Sequence, residues 1–164
     1  MVDLSVIHST FVIERSYPKP PARVFAAFAD PQQKRHWFAE GQSHDLEQFE
    51  MDFREGGSER SRSRFREGTP IAGLTINSEG IYYDIVPSRR IVMASAMSLG
   101  DRRISVALVT IELLPAGDGT DLVCTHQGVF FEGSDGPERR EGGWRKLFER
   151  LGEEIAGVSQ IASN

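Results

Sequence analysis

The residue types in this chain best suited to chemistry are a histidine and a cysteine two positions apart, His126 and Cys124. They lie in a stretch of strand-like alternation, so both point to one face together with Leu122, Gly128 and Phe130. If that face looks into an apolar cavity, His126 is a polar handle. Its near-neutral pKa suits an orienting hydrogen bond or general acid/base work. The plainer reading, a satisfied or solvent-facing histidine, is favoured because no partner carboxylate can be assigned to it. Cys124 is the only cysteine, so it has no disulfide partner within the chain and no CxxC motif for zinc or redox chemistry. His36 and His44 stand on either side of an expected loop, without HExxH or a carboxylate cluster. No metal or cofactor is expected. A GxSxG elbow, a Walker loop and a GxGxxG fingerprint are all missing, so no catalytic residue is assigned.

Two further groups stand out. The run ERSRSRFRE places Arg60, Arg62, Arg64 and Arg66 on one strand face and Ser61, Ser63 and Phe65 on the other. Four guanidinia in a row could take a carboxylate, a phosphate or an acidic partner. A solvated face that discourages edge-to-edge sheet pairing is the preferred reading. RNA binding is less favoured still, since the tract is short and lacks stacking aromatics. The second group is apolar: Trp37, Phe38, Phe49, Phe53, Tyr82, Met93, Met97, Phe130, Trp144 and Phe148. Taken singly each reads first as core. Taken as a set with His126 they are the candidate walls of a ligand pocket, since such sites are mostly apolar with a few polar groups. Tyr82 and Tyr83 point to opposite faces of a strand, so only one can face inward.

The elements that must position these residues follow from periodicity and turn signals. Residues 6–17 read as a strand, stopped by Pro18, Pro20 and Pro21. Pro21 then opens a short helix carrying Val24, Phe25 and Phe28 and ending at Asp30-Pro31. Asp30 can cap a second helix that reaches Trp37 and Phe38 before Gly41. Six further strands are expected at about 45–53, 58–65, 74–86, 91–98, 103–114 and 121–131, separated by Gly, Pro, Asp and Ser turn signals. Asp118-Gly119 is the strongest hairpin signal, as a tight turn there requires positive φ. At the end, Trp144, Leu147, Phe148, Leu151, Ile155 and Val158 form one apolar stripe of a long helix. Its opposite face carries Arg145 with Glu149 and Arg150 with Glu154 at i,i+4 spacing. The stripe must be buried, and a curved antiparallel sheet offers a face to receive it. The expected fold class is α+β: a sheet of about seven strands wrapped around a long C-terminal helix, with two short helices after the first strand, all as one domain over residues 1–164.

The length of 164 residues suits that single domain. With 19 basic and 24 acidic residues the net charge is −5, so no overall positive field draws the chain to nucleic acid or anionic lipid. No apolar run approaches the roughly 18–20 residues that cross a bilayer, and the first residues lack the pattern of a secretion signal. A soluble, cytoplasmic protein with no membrane insertion is the expectation.

The stretches PPARVFAAFADPQQKRHWFA, FREGGSER at 53–60, GIYYDIVPSRRIVM, and VTIELLPAGDGTDLVCTHQGVF followed by GGWRKLFERLGEEI resemble, in order and spacing, the START-like (SRPBCC) superfamily. The narrower resemblance is to the branch similar to the C-terminal domain of the activator of the 90-kDa heat-shock-protein ATPase. It covers nearly the whole chain and implies a helix-grip fold with a cavity between the long helix and the concave sheet. After SRRIVM, many members carry a tryptophan where this chain has Ala94, Ser95, Ala96 and Met97.

The leading expectation is binding of a small hydrophobic or aromatic molecule in that cavity. A cyclase- or aromatase-like enzyme using the same cavity comes second, because it needs a buried titratable pair that the sequence does not reveal. A protein-interaction role toward a chaperone ranks below both, and a homodimer stays open.

Overall fold

The computed structural model describes residues 6–157. Seven strands make one antiparallel sheet in the order β1-β7-β6-β5-β4-β3-β2. They are β1 (Ile7–Tyr17), β2 (His44–Met51), β3 (Ser58–Phe65), β4 (Thr75–Val86), β5 (Arg90–Leu99), β6 (Arg102–Ala116) and β7 (Gly119–Phe130). The helices are α1 (Pro21–Ala29), α2 (Pro31–Lys34) and α3 (Pro137–Ala156). This is the α+β helix-grip arrangement: an open curved sheet with the C-terminal helix across its concave face. The curvature has a local cause. Register shifts leave one extra residue, Glu47, Tyr83 and Ile104, in β2, β4 and β6 respectively and bend those strands.

Both expected short helices begin at prolines, and the Asp30 carboxylate accepts from the Gln32 amide at 3.0 Å, capping α2. The second differs from the expectation in kind. After one turn of α2 the chain widens into a π-helical turn, Arg35–Ala39, closed by the Glu40 amide on the Arg35 carbonyl at 2.9 Å. The β6–β7 hairpin is present, but its two turn residues are Gly117 and Asp118, with Gly119 already paired to Ala116. Gly117 supplies the positive φ, 58°, at the first turn position, as a type II′ turn requires. Pro115 is tolerated in β6 because β5 has ended, its Arg90 pairing no further than Glu112.

The apolar stripe of α3 is buried at Phe148, Leu151 and Ile155 and partly buried at Trp144 and Leu147; Val158 lies outside the described residues. Its expected polar face needs correction. Arg145 pairs back to Glu141 at 2.9 Å rather than forward to Glu149. Arg150 donates to the carbonyls of His36 and Glu40, and Glu154 is buried. The π-helical turn packs against that side of α3, so the helix is covered over a wider arc than its apolar residues alone indicate. The arginine row of β3 is exposed as expected, yet not at a sheet edge, since β2 lies outside it. No described helix is long and apolar enough to cross a membrane.

Candidate functional site

The inner face of β3 is set by the same alternation that turns its arginines outward. Parity sends Glu59, Ser61, Ser63 and Phe65 toward α3. Glu59 lies opposite Gly80 of β4, and the side chain two residues along, Tyr82, reaches back to it: the Tyr82 hydroxyl donates to Glu59 Oε1 at 2.5 Å. Lys34, the last residue of α2, donates to the same oxygen at 2.9 Å. Both partners of this ion pair are about 5% exposed. The Lys34 ammonium also stands 4.6 Å from the centroid of Phe38, with the Phe28 and Trp37 rings near 5.6 Å. These π-faces replace part of the hydration that the cation has lost. Burial first, then the Glu59 charge, pushes the Tyr82 hydroxyl well above its ordinary pKa, so it stays a donor. Sequence reasoning found no buried titratable pair; Lys34 and Glu59 are one.

His126 occupies the other end of the same interior. Its ring stacks on Phe11 at 4.5 Å and lies 6.2 Å from both Phe130 and Trp144. Gly128 stands between His126 and Phe130 on the inner face, and a Cβ there would strike both rings. Burial, then the neighbouring Arg140 cation, lowers the imidazole pKa from 6.5 to about 4. At neutral pH the ring is therefore uncharged. Arg140, on the first turns of α3, is itself largely buried and holds Asp135 through two hydrogen bonds of 2.9 and 2.8 Å. Burial alone would raise the Asp135 pKa, but the Arg140 guanidinium holds it below the usual carboxylate range. Cys124, on the same face, is fully buried and its thiol is pushed up to about 12, which leaves it unreactive.

Two small voids lie between α3 and the sheet. One, of about 20 Å³, is walled by Trp37, Phe53, Tyr82, Met93 and Trp144, with Lys34 and neighbouring apolar side chains. The other, of about 40 Å³, is walled by Phe38, Met93, Met97, His126 and Trp144, and by Lys34, Glu59, Ser78, Ser95 and Arg140. Lys34, Met93, Val109 and Trp144 belong to both walls. Three of the sequence-named residues stand elsewhere. Phe130 is packed behind His126, Phe148 lies beside Trp144 in the core, and Phe49 is half-buried on the edge strand β2. The residues missed were the charged ones, Lys34, Glu59 and Arg140. Glu59 alone carried a signal, because it shares parity with Ser61 and Ser63. Outside, an open groove of about 710 Å³ runs between the π-helical turn and α3, and Trp37 forms a wall of both this groove and the smaller void.

Comparison with known proteins gives consistent results. The family model described as Activator of Hsp90 ATPase homolog 1-like protein matches residues 18–156. The Mll3558 protein from Rhizobium loti is 47% identical, with a TM-score of 0.81 over 92% of this chain and 99% of its own. An uncharacterised protein from Rhizobium leguminosarum is 35% identical, with a TM-score of 0.87 over 94% of this chain and 99% of its own. DynU16, a protein in the dynemicin biosynthetic locus, shares the fold at 19% identity and a TM-score of 0.61, over 90% of this chain and 47% of its own. No curated protein matches the chain.

Proposed function

Because the chain belongs to the activator of Hsp90 ATPase homolog 1-like family, and the interior of its helix-grip fold is imperfectly filled, we propose that it binds a small apolar or aromatic molecule between α3 and the sheet. The observation that carries this reading is the pair of adjoining voids that share Lys34, Met93, Val109 and Trp144 as a partition. As they stand, the voids hold no more than a few waters, at about 10–15 Å³ each. A ligand therefore enters by displacing the partition. Methionine suits that role, being unbranched and adaptable, and Met97 lines the second of the two voids. Trp37 separates the interior from the outer groove and sits in the π-helical turn, so a shift of that turn joins the two. Ligand affinity comes from burying apolar area, and the polar wall fixes orientation.

A second reading, an enzyme acting on the molecule it binds, is favoured by one observation: the buried Lys34–Glu59 pair with the Tyr82 hydroxyl on it. Such a cluster can hold or move a proton next to a bound substrate.

One experiment addresses both. The purified protein is screened by thermal shift against fatty acids, flavonoids, aromatic polyketide-like compounds and sterols. A ligand at about 100 times its Kd adds roughly 2.7 kcal/mol, or about 5–10 °C in Tm. A saturable shift from one class is the expected result. Absence of any shift, with no small molecule carried through purification by native mass spectrometry, would refute the binding reading. Recovery of the stabilising compound chemically unchanged after incubation would remove the enzymatic one.

A further inference from the structure

His126 is 1% exposed, and its Nδ1 has no hydrogen-bond partner among the described residues. A buried polar nitrogen left unpaired is costly, and native interiors seldom keep one without a use. The ring forms part of the wall of the 40 Å³ void together with Phe38 and Trp144, the latter edge-to-face with it at 6.2 Å. The charged groups of that wall are already matched, Lys34 to Glu59 and Arg140 to Asp135, and the neutral hydroxyls of Ser78 and Ser95 complete its polar lining. The formal charges around the void thus cancel in pairs. A carboxylate or an ammonium brought in would be buried with no counter-charge of its own, at a large desolvation cost. A neutral hydroxyl avoids that cost. It can donate or accept, so it satisfies Nδ1 in either imidazole tautomer.

We infer that the molecule bound in this interior is a neutral planar aromatic carrying a hydroxyl group, a phenol or an enol, whose oxygen pairs with His126 Nδ1 while its ring lies against Trp144 and the methionines. This rests on the ligand-binding reading above and assigns the chemical class of the ligand.

Three bicyclic probes of matched shape test it by calorimetry at neutral pH: 2-naphthol, naphthalene and 2-naphthoate. In the wild-type protein 2-naphthol should bind about tenfold tighter than naphthalene, the effect of one buried hydrogen bond whose absence leaves a nitrogen unpaired. Naphthoate should bind more weakly than naphthol. In His126→Phe the ratio of naphthol to naphthalene affinity should fall to about one. The wild-type comparison is independent of whether that variant folds. Equal binding of naphthol and naphthalene would overturn the inference and mean that water alone serves Nδ1. Tightest binding by naphthoate would overturn it by showing that the charge pairs open to receive an anion. Either result leaves the ligand-binding reading standing, because at least one of the three probes still binds. If none of the three binds and the broader screen is also silent, that reading falls as well.

Discussion

The two faces of β3 carry the same kind of ion pair in opposite surroundings. Outside, Arg62 and Arg64 reach Glu47 at 3.6 and 3.4 Å, with the arginines about half exposed. Inside, one residue out of phase, Glu59 meets Lys34 at 2.9 Å, almost sealed from water. In water the attraction is screened, and holding two long side chains together consumes most of it. In the interior the attraction is strong, but each ion has lost its hydration, so the pair is roughly self-cancelling until one member is removed. The outer row can be changed with little consequence, whereas the inner pair locks α2, β3 and β4 into one arrangement.

The comparison is broken most forcefully at Glu59. Replacement by alanine leaves the Lys34 ammonium buried among aromatic rings without its counter-charge and takes the acceptor from Tyr82. The expected loss is about 3–5 kcal/mol in urea-induced unfolding. Replacing Lys34 with methionine and Glu59 with leucine together should cost less than Glu59→Ala alone, because no charge is then stranded and only the loss of the Tyr82 acceptor is common to both. A double variant as unstable as the single one would show that packing, not charge, dominates the site.

Much of this contrast was legible in the sequence. The alternation of ERSRSRFRE fixes which face each residue takes, and it correctly put the arginines outward. It placed Glu59 inward by the same parity, but the residue that makes Glu59 meaningful is 25 positions away on a helix that becomes a π-helical turn within the next residue. Such a contact depends on how α2 docks on the sheet, which no local period encodes. Cys124 and His126 were placed on one face by period two, and both are buried there. The stacking of His126 on Phe11 follows from β1 pairing with β7, where Phe11 lies directly opposite His126. Glu154 shows the converse limit: on a helical wheel it belongs to the polar side, and it is buried because the π-helical turn covers that side.

The next effect sets a neutral interior group against the charged pairs. His126 is kept uncharged by burial and then by Arg140, with Asp135 acting in the opposite sense. The unfolded chain takes up this proton near pH 6.5, and the folded one only near pH 4. Its contribution is therefore fully present above pH 6.5 and is lost as pH falls from there toward 4. The slope approaches 1.4 kcal/mol per pH unit, roughly 3 kcal/mol across the window. His126→Phe should flatten unfolding stability between pH 6.5 and 4.5. An unchanged slope in that variant would assign the pH dependence to other groups. Asp135, whose pKa is lowered, acts in a more acidic range and leaves this window clear.

The smallest effect is the one that sharpens the contrast. Glu47 is the shared acceptor for Arg62 and Arg64, so Glu47→Ala removes two outer contacts at once. Those contacts are long for hydrogen bonds, and the side chains around them remain in water. A loss of about 0.2–1 kcal/mol is expected at low salt, shrinking toward zero in 1 M salt, where the screening length falls to about 3 Å. Glu59→Ala should keep its full cost in the same salt, because ions do not reach the interior. If the Glu47 variant instead lost several kcal/mol independent of salt, the outer row would have to be a structural clamp between β2 and β3, and the division of β3 into a solvated face and a sealed one would not hold. The predicted pattern, small and screened outside against large and unscreened inside, separates a charge that is carried on the fold from one that the fold is built around.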